Sequence, residues 1–421
     1  MTREIEVTLL TGGGDRPYAF GLATSLMSHA TAMEIIGSDD LDCLEFHSKP
    51  EVRFLNLRGS QRPDVSLIKK ALRVSTYYLK LIRYASTAKP KIFHILWNNK
   101  FAAFDRTLLT LYYKSLGKAV VLTLHNVNAG RRDGRDSYLN RLTLRIQYRL
   151  ANHIFVHTKK MERELVEEFG VQVDRITVIP FGINNAVPNT DLSPADARQR
   201  LGVENGQRTI LFFGNITPYK GLEYLIAAFK RLAPLQQNYQ LIIAGQPNRC
   251  ERYWNEILSL ISEDALRGRV LLRAEFIPDD ETEVYFKAAD VLVLPYKHIY
   301  QSGVLFLAYS FGLPVLAADV GSLKDEILEG RTGLVFRPED PVDLVRAIKS
   351  YFVSSLYANL NCLRPEIRKY AAERNSWSVV AQRITRVYAD LMTVSEITNR
   401  GTSRTALTAC ESATAKRRRR L

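Results

Sequence analysis

The stretch FFGNITPYKGLEYL, residues 212–225, decides the fold because a buried strand ends in it and a helix begins in it. The apolar run stops at Gly214, where the absence of a side chain allows a sharp turn. Lys220 and Gly221 then precede the amphipathic segment LEYLIAAFKRL. Free N–H groups, the helix dipole and an ammonium group meet at such a point, which suits a phosphate. The structural alternative is a solvated lysine in a first helical turn, with Gly221 allowing close packing of helix and sheet.

Strands and helices alternate along most of the chain, and this order indicates the fold class. Apolar runs of strand length, such as AVVLTLH and HIFVHT, are each followed by a helical stretch. Near-continuous apolar runs are typical of parallel strands covered by helices on both faces, so the alternation predicts right-handed βαβ units. The sequence therefore predicts an α/β protein with two doubly wound, Rossmann-like domains that face each other across a cleft.

The predicted boundaries follow from a stretch rich in Asn, Pro, Asp and Gly that interrupts the alternation. We expect ligands to bind between the domains, beyond the carboxyl ends of the strands. The predicted segments are a first domain at residues 1–183, a linker at 184–208, a second domain at 209–370, a late helix at 371–393 and a disordered basic tail at 394–421.

A second helix start strengthens the phosphate prediction. A polar loop leads from the strand DVLVLP into a helix that we expect to begin near Ser302 and Gly303. The N–H groups of Ser302, Gly303 and Val304 would have no partner within that helix, and Gly303 admits close approach of a ligand. Two helix N-termini at strand ends of one domain would form a clamp for a diphosphate. The simpler interpretation is a serine N-cap without a ligand.

Composition narrows the classes of partner. The formal net charge of +14 favours anionic partners, although five of the basic residues, Lys416 to Arg420, lie in the tail. Four scattered cysteines without a CxxC pair argue against a zinc site or a disulfide framework and favour a reducing cytoplasm. No apolar run reaches the roughly 20 residues that cross a bilayer. We therefore expect a cytoplasmic protein.

With these motifs in place, the chain resembles the retaining, nucleotide-sugar-dependent glycosyltransferases of family four. That family has the GT-B architecture and belongs with glycogen-synthase-like and mannosyltransferase-like enzymes. The second half carries GNITPYKG where the family has a Gly-Arg turn ending in Lys-Gly, and LIIAGQP, FIPDDETEVYFKAADVLVLPY and GLPVLAADVGSLKDEILEGRTGLVF follow in the family's order. The first half has a glycine loop after strand one and the motif TLHNV. The late helix is similar to one that crosses back onto the first domain.

The resemblance implies a nucleotide diphosphate sugar as donor, a saccharide or lipid-linked acceptor, and no metal or other cofactor. Positive charge and aligned dipoles would stabilise the departing diphosphate. For His125 the alternative is an interior histidine hydrogen-bonded at a strand end. The implied site residues are His125 at the donor sugar; Lys220, Asn215, Ser302, Gly303 and Val304 at the diphosphate; Phe276, Ile277, Pro278 and Gln301 near the base and ribose; and Gly13 and Gly14 lining the crevice.

Three departures from the family pattern keep a second function open. Two glutamates common in the family correspond to Ile299 and Leu307, and the usual arginine of the phosphate turn is Asn215. Glu326 is a more distant carboxylate candidate. The alternative is a non-catalytic protein that binds a nucleotide sugar or acts as a scaffold. We favour the enzyme, because the lysine, the second helix start and the histidine all remain.

A basic amphipathic segment at residues 66–91 leaves a further partner open. Apolar residues recur at helical spacing, and lysines and arginines lie around them. It is either a sheet-covering helix with a solvated basic face or a contact with an anionic membrane, which would make the protein peripheral on the cytoplasmic face. A nucleic-acid partner would need a basic stripe on the folded body and is not expected.

Overall fold

The computed structural model describes residues 5–29, 31–62, 65–132, 134–183, 187–204, 206–234, 238–248 and 250–393. The tail predicted at 394–421 lies outside the described residues.

Two parallel sheets form the frame of the molecule. The first has seven strands in the order β3-β2-β1-β4-β5-β6-β7, and the second has six in the order β10-β9-β8-β11-β12-β13. In each sheet the strand order reverses once, between β1 and β4 and between β8 and β11, as in doubly wound folds. The predicted α/β class with two doubly wound domains is confirmed. The strands are β1 (Ile5–Leu10), β2 (Thr31–Gly37), β3 (Val52–Asn56), β4 (Ile92–Ile95), β5 (Ala119–Leu124), β6 (His153–Val156), β7 (Ile176–Val178), β8 (Arg208–Phe213), β9 (Tyr239–Ala244), β10 (Val270–Arg273), β11 (Val291–Leu294), β12 (Val315–Ala318) and β13 (Gly333–Phe336).

Helices cover both faces of each sheet. Many begin at a serine, threonine or aspartate whose side chain accepts a hydrogen bond from a free N–H of the first turn, as Ser66 does for α2. The helices are α1 (Arg16–Met27), α2 (Leu67–Thr87), α3 (Ala102–Phe104), α4 (Thr110–Ser115), α5 (Ala129–Arg132), α6 (Tyr138–Leu150), α7 (Lys159–Phe169), α8 (Pro194–Leu201), α9 (Leu222–Leu232), α10 (Glu251–Ile261), α11 (Asp279–Ala288), α12 (Gly303–Ser310), α13 (Pro341–Phe352), α14 (Ser355–Ala358), α15 (Leu360–Asn375) and α16 (residues 377–393). A π-helical turn, Asp105–Leu109, joins α3 to α4.

The stretch predicted as a linker contains helix α8, which packs on the second domain. Ala197 and Leu201 are buried, and the Arg198 guanidinium contacts the Asp290 carboxylate at 2.7 Å. Ser193 caps the helix and Gly202 ends it in a left-handed conformation. The polar composition concealed this helix because only two of its residues face the core.

The last helix, α16, crosses back to the first domain as the family resemblance implied. Trp377, Val380, Ile384 and Tyr388 are buried in the core that α1 and the first sheet form. The Trp377 indole N–H donates to the carbonyl of Ile183 at 2.6 Å. The predicted start at residue 371 falls inside α15, which continues to Asn375 before the chain turns.

Replacing Trp377 by alanine should destabilise the protein strongly. The ring fills the space beside Gly21, where a Cβ would lie 2.2 Å from it, so its loss leaves a cavity between α16 and α1. We expect the free energy of unfolding to fall by about 3–5 kcal/mol, measured by urea denaturation with circular dichroism. Trp377→Phe should lose less, and Val353→Ala on the exposed surface should change little. An unaltered unfolding curve for the alanine variant would contradict this role for the ring.

Candidate active site

Four neighbouring strands of the first sheet deliver the first half of the site. The glycine loop follows β1, Trp97 follows β4, His125 follows β5 and His157 follows β6. Because these strands are parallel and adjacent, their carboxyl ends meet at one edge of the sheet. Sequence spacing alone does not bring these residues together, but the strand order does.

His125 lies partly buried in an aromatic cluster. The Trp97 ring stacks on it with centres 4.2 Å apart and planes 4° apart, and the Tyr18 ring meets it edge-on at 4.5 Å. Its Nε2 atom is buried without a hydrogen-bond partner. Burial and the neighbouring His157 hold the pKa of His125 well below its usual range. The imidazole is therefore neutral near pH 7, and its unpaired nitrogen can exchange a hydrogen bond with a substrate hydroxyl.

The glycine loop must lack side chains because of the protein's own neighbours. A Cβ on Gly14 would lie 2.0 Å from the Trp97 ring, and one on Gly13 would lie 2.3 Å from the Arg58 guanidinium. Gly13 also has a φ of 78°, which other residues rarely adopt. The loop was expected to be bare so that substrate could enter. The structure adds that Trp97 and Arg58 occupy the space directly behind it.

Lys220 provides a buried positive charge in the second domain. Its side chain is 6% exposed, and no carboxylate pairs with it within the described part of the chain. Its ammonium lies over the Tyr296 ring at 5.7 Å from the ring centre. Burial lowers the pKa of Lys220 to about 8. The alternative of a solvated lysine is wrong, since a solvated ammonium would be exposed.

The Lys220 ammonium, from the short 3₁₀ turn Pro218–Lys220 before α9, meets the start of α12 at Gly214. A Cβ built on this glycine would lie 3.0 Å from the Lys220 Nζ and 3.5 Å from a methyl group of Val304 in the first turn of α12. Helix α12 begins at Gly303 with Ser302 as its N-cap, and the Ser302 hydroxyl makes no capping bond. The lysine and the free N–H groups of α12 therefore border one small space.

Phe181 connects the two halves of the site. Its ring would lie 3.5 Å from a Cβ on Gly303, and its centre is 6.3 Å from that of His125. His125 and the start of α12 therefore both lie near one phenyl ring. Gln301, two residues before Gly303, has a buried amide whose oxygen and nitrogen both lack a partner. Buried polar atoms without partners mark positions where a ligand can supply the missing hydrogen bonds.

A hydrogen bond between the domains holds the loop before α12. The Tyr300 hydroxyl donates to the Glu164 carboxylate on α7 at 2.6 Å, and Arg131 of the first domain contacts the same carboxylate at 3.7 Å. Because Tyr300 precedes Gln301 and Ser302, the first domain fixes where these two residues lie.

The remaining predicted residues are less closely gathered. Asn215 is exposed on the turn after β8. Phe276 is 65% exposed, Ile277 is buried, and Pro278 caps α11 at the end of β10. Since β9 separates β10 from β8, a ligand touching both Lys220 and this loop must span three strand ends.

The structure supplies no carboxylate at the positions of the two family glutamates. Leu307 is 7% exposed and lies in the core of the second domain, and Ile299 packs against that core. Glu326 lines a cavity of about 600 Å³ with His157 and residues of α15 and α16, and Lys220 is not among its lining residues. Glu326 therefore does not replace the missing glutamates beside the lysine.

Two family descriptions match the two domains in order. Residues 2–187 match the model described as Glycosyltransferase Family 4, and residues 207–352 match the one described as Glycosyl transferases group 1. The chain belongs to glycosyltransferase family four. The matched ranges contain His125 in the first domain and both helix starts in the second.

Curated relatives of this family four chain agree with the assignment. A D-inositol 3-phosphate glycosyltransferase of Acidothermus cellulolyticus is 29% identical over 247 residues, 58% of this chain and 54% of the relative. An uncharacterized glycosyltransferase of Methanocaldococcus jannaschii is 26% identical over 277 residues, 64% of this chain and 68% of the relative. The chain spans about half the length of several of the curated relatives it matches.

Solved structures share the fold. Sucrose-phosphate synthase from Thermosynechococcus elongatus superposes with a TM-score of 0.73 at 18% identity, over 93% of this chain and all of the other. Anabaena HepE in complex with UDP and glucose gives 0.71 at 18% identity, over 92% and 100%. The architecture is GT-B, as the resemblance implied.

Several residues of the site were not predicted from the sequence. Trp97, Arg58, Tyr300 and Phe181 were not singled out, although Trp97 and Arg58 closely follow the strands β4 and β3. The rule that ligands bind beyond strand ends could have drawn attention to these two. Phe181 and Tyr300 carry no such signal, because their roles depend on how the two domains meet.

Among the described residues, no group of three or more His, Cys, Asp or Glu side chains is arranged to hold a metal ion. No helix in the same residues is both long and apolar enough to span a bilayer.

The affinity for a nucleoside diphosphate should fall as the pH rises through the pKa of Lys220. Burial lowers that pKa to about 8, so the ammonium that attracts the diphosphate loses its proton within the alkaline range. Between about pH 7 and pH 9 we expect the dissociation constant to rise about tenfold, measured by calorimetry. Lys220→Arg should flatten the profile, because a guanidinium stays charged. A flat profile for the natural chain would contradict the placement of the lysine at the diphosphate.

Proposed function

We propose that this chain transfers a sugar from a nucleotide diphosphate sugar to an acceptor hydroxyl, with retention of anomeric configuration and without a metal. The observation that carries the proposal is the unpaired ammonium of Lys220 beside the start of α12, with a neutral His125 near the same Phe181 ring. The lysine and the helix start favour an anion, and the histidine favours a hydroxyl group near it. A nucleotide sugar offers both, the anion in its diphosphate and the hydroxyls in its sugar.

The chemistry requires stabilisation of the leaving group. As the bond between the anomeric carbon and the diphosphate oxygen breaks, negative charge grows on the diphosphate, where Lys220 and the N–H groups of α12 can stabilise it. The acceptor oxygen then bonds to the anomeric carbon on the same face, and its proton passes to the departing phosphate oxygen. This route needs no protein nucleophile. It therefore suits a chain in which Ile299 and Leu307 offer no carboxylate.

Similar proteins suggest which donor and which class of acceptor to test first. Two solved structures of Anabaena HepE contain UDP with glucose and UDP-glucose, so we propose a uridine diphosphate sugar as the first donor to test. Several relatives are named for D-inositol 3-phosphate. We propose a hydroxyl-rich acceptor, either a saccharide or a lipid-linked saccharide, bound on the side of the glycine loop. The reaction would take place in the cytoplasm, and at its membrane face when the acceptor is lipid-linked.

The second candidate is a non-catalytic protein that binds nucleotide sugars, and the apolar Ile299 and Leu307 favour it. Calorimetry with UDP, GDP and ADP, followed by assays of donor hydrolysis and transfer, separates the two functions. Product formation supports the enzyme. Tight binding without product across a broad panel of donors and acceptors supports the binding protein, and no binding at all refutes both.

Replacing Lys220 by methionine should weaken UDP binding without harming the fold. The variant removes a buried unpaired charge, so the melting temperature should stay or rise while affinity falls at least about tenfold. Calorimetry and thermal denaturation measure the two effects. Lys349→Met, at an exposed position on α13, is the matched control and should change neither. Unchanged UDP affinity in Lys220→Met would count against the proposed site.

Replacing His125 by asparagine should reduce transfer more than nucleotide binding. The imidazole contacts the aromatic cluster of the first domain rather than the diphosphate region, so UDP affinity should change less than about threefold. The turnover number should fall about a hundredfold or more. Steady-state kinetics with UDP calorimetry test this. Equal losses in turnover and in UDP affinity would refute the role at the sugar.

A further inference from the structure

The first domain has an outer surface built from three elements that lie side by side. We call the surface of α2, residues 101–115 and α6 the outer helical face. The Tyr78 ring of α2 stacks on Phe101 at 5.5 Å, and Arg106 donates to the Asn140 side chain of α6 at 2.8 Å. These contacts align the three elements over one side of the sheet, opposite to α1 and α16.

Exposed apolar side chains are concentrated on this face. Isolated exposed leucines are normal on a protein surface, but clusters mark contact surfaces. On α2, Ile68, Leu72 and Leu79 fall on one stripe that points away from the buried Tyr77, Tyr78 and Leu81. Of the seventeen large apolar side chains exposed in the described chain, ten belong to the outer helical face: Leu67, Ile68, Leu72, Leu79, Phe101, Leu108, Leu111, Tyr138, Leu139 and Leu142.

The outer helical face is also strongly basic. Its three elements, residues 67–87, 101–115 and 138–150, contain ten Lys and Arg against one acid, a net +9. That acid, Asp105, is 3% exposed and accepts a hydrogen bond from Tyr78. Asp136, which precedes α6, is paired with Arg141 at 2.7 Å. On α2 the exposed cations, such as Lys80, have no acid beside them in that helix.

We propose that the outer helical face docks the protein on an anionic lipid bilayer. Leucine and aromatic side chains can enter the acyl boundary while lysine and arginine extend their charged ends to lipid phosphates. The combination of exposed leucines and exposed cations favours a lipid bilayer over a nucleic acid as the partner. A nucleic acid would pair with the cations but leave the leucines in water, because its outer surface is phosphate and sugar.

Docking would also orient the cleft. Helices in βαβ units run opposite to the strands, so the N-terminal ends of α2, α3 and α6 lie at the carboxyl edge of the first sheet. Leu67, Phe101 and Tyr138 lie at those ends, and His125 lies at the same edge. The docking itself is independent of the proposed function, and only the delivery of a lipid-linked acceptor to this edge rests on it.

Sedimentation of the full chain with vesicles tests the proposal. We expect binding to vesicles of equal parts phosphatidylcholine and phosphatidylglycerol, and little binding to phosphatidylcholine alone. Leu72→Ser with Leu79→Ser and Leu111→Ser, and separately Lys69→Glu with Lys80→Glu and Arg83→Glu, should each weaken binding about tenfold or more. The control, Leu258→Ser with Val353→Ser, replaces exposed apolar residues of the second domain and should bind as the natural chain does.

Three outcomes would overturn the proposal. These are equal binding to both vesicle types, loss of binding only when residues 394–421 are deleted, and a stable dimer in light scattering that the leucine variants dissociate. UDP calorimetry on every variant keeps the two proposals separate, since these residues lie away from Lys220 and affinity should not change. Vesicle binding without binding of UDP, GDP or ADP would remove the proposed function and leave the docking surface standing.

Discussion

The buried charge of Lys220 is the feature on which the site in the second domain depends. Burying a charge without a counter-charge is unfavourable, and the pKa of about 8 for this lysine corresponds to a cost on the order of 3 kcal/mol. Hydrophobic residues could fill the same space without that cost. A bound anion would restore the balance, and the start of α12 beside the lysine offers the N–H groups to hold it. The burial that makes this lysine costly is therefore also what would favour an anion beside it.

The first domain contributes aromatic packing rather than charge. Tyr18 contacts His125 and also Trp377, the residue with which α16 crosses back from the second domain. Trp377 in turn packs against Gly182, next to Phe181 in the connection between the domains. The wall of the cleft and the join between the domains are therefore parts of one aromatic cluster. A change in the angle between the domains would displace the rings around His125, because Tyr18 contacts both His125 and Trp377.

Two surfaces of the first domain have different physical characters. The carboxyl edge of its sheet is enclosed, with neutral histidines and unpaired buried nitrogens. The outer helical face is exposed, apolar and strongly basic. Because the helices start at the edge where the strands end, the two surfaces meet, and a substrate held in a membrane would reach the cleft by a short path.

The sequence by itself determined the fold class, the order of the elements and the two helix starts, which lie at Leu222, just after Lys220, and at Gly303. Buried parallel strands require continuous apolar runs, and turns require glycine, so these features are encoded locally. The helix α8 was missed because two buried residues in a polar stretch give too weak a pattern. Only the tertiary structure brought Phe181 near both His125 and α12, set Trp97 and Arg58 behind the glycine loop, and joined Tyr300 to Glu164. These contacts join residues that are distant in the chain. They depend on the order of the strands and on the angle between the domains, and neither can be read from local composition.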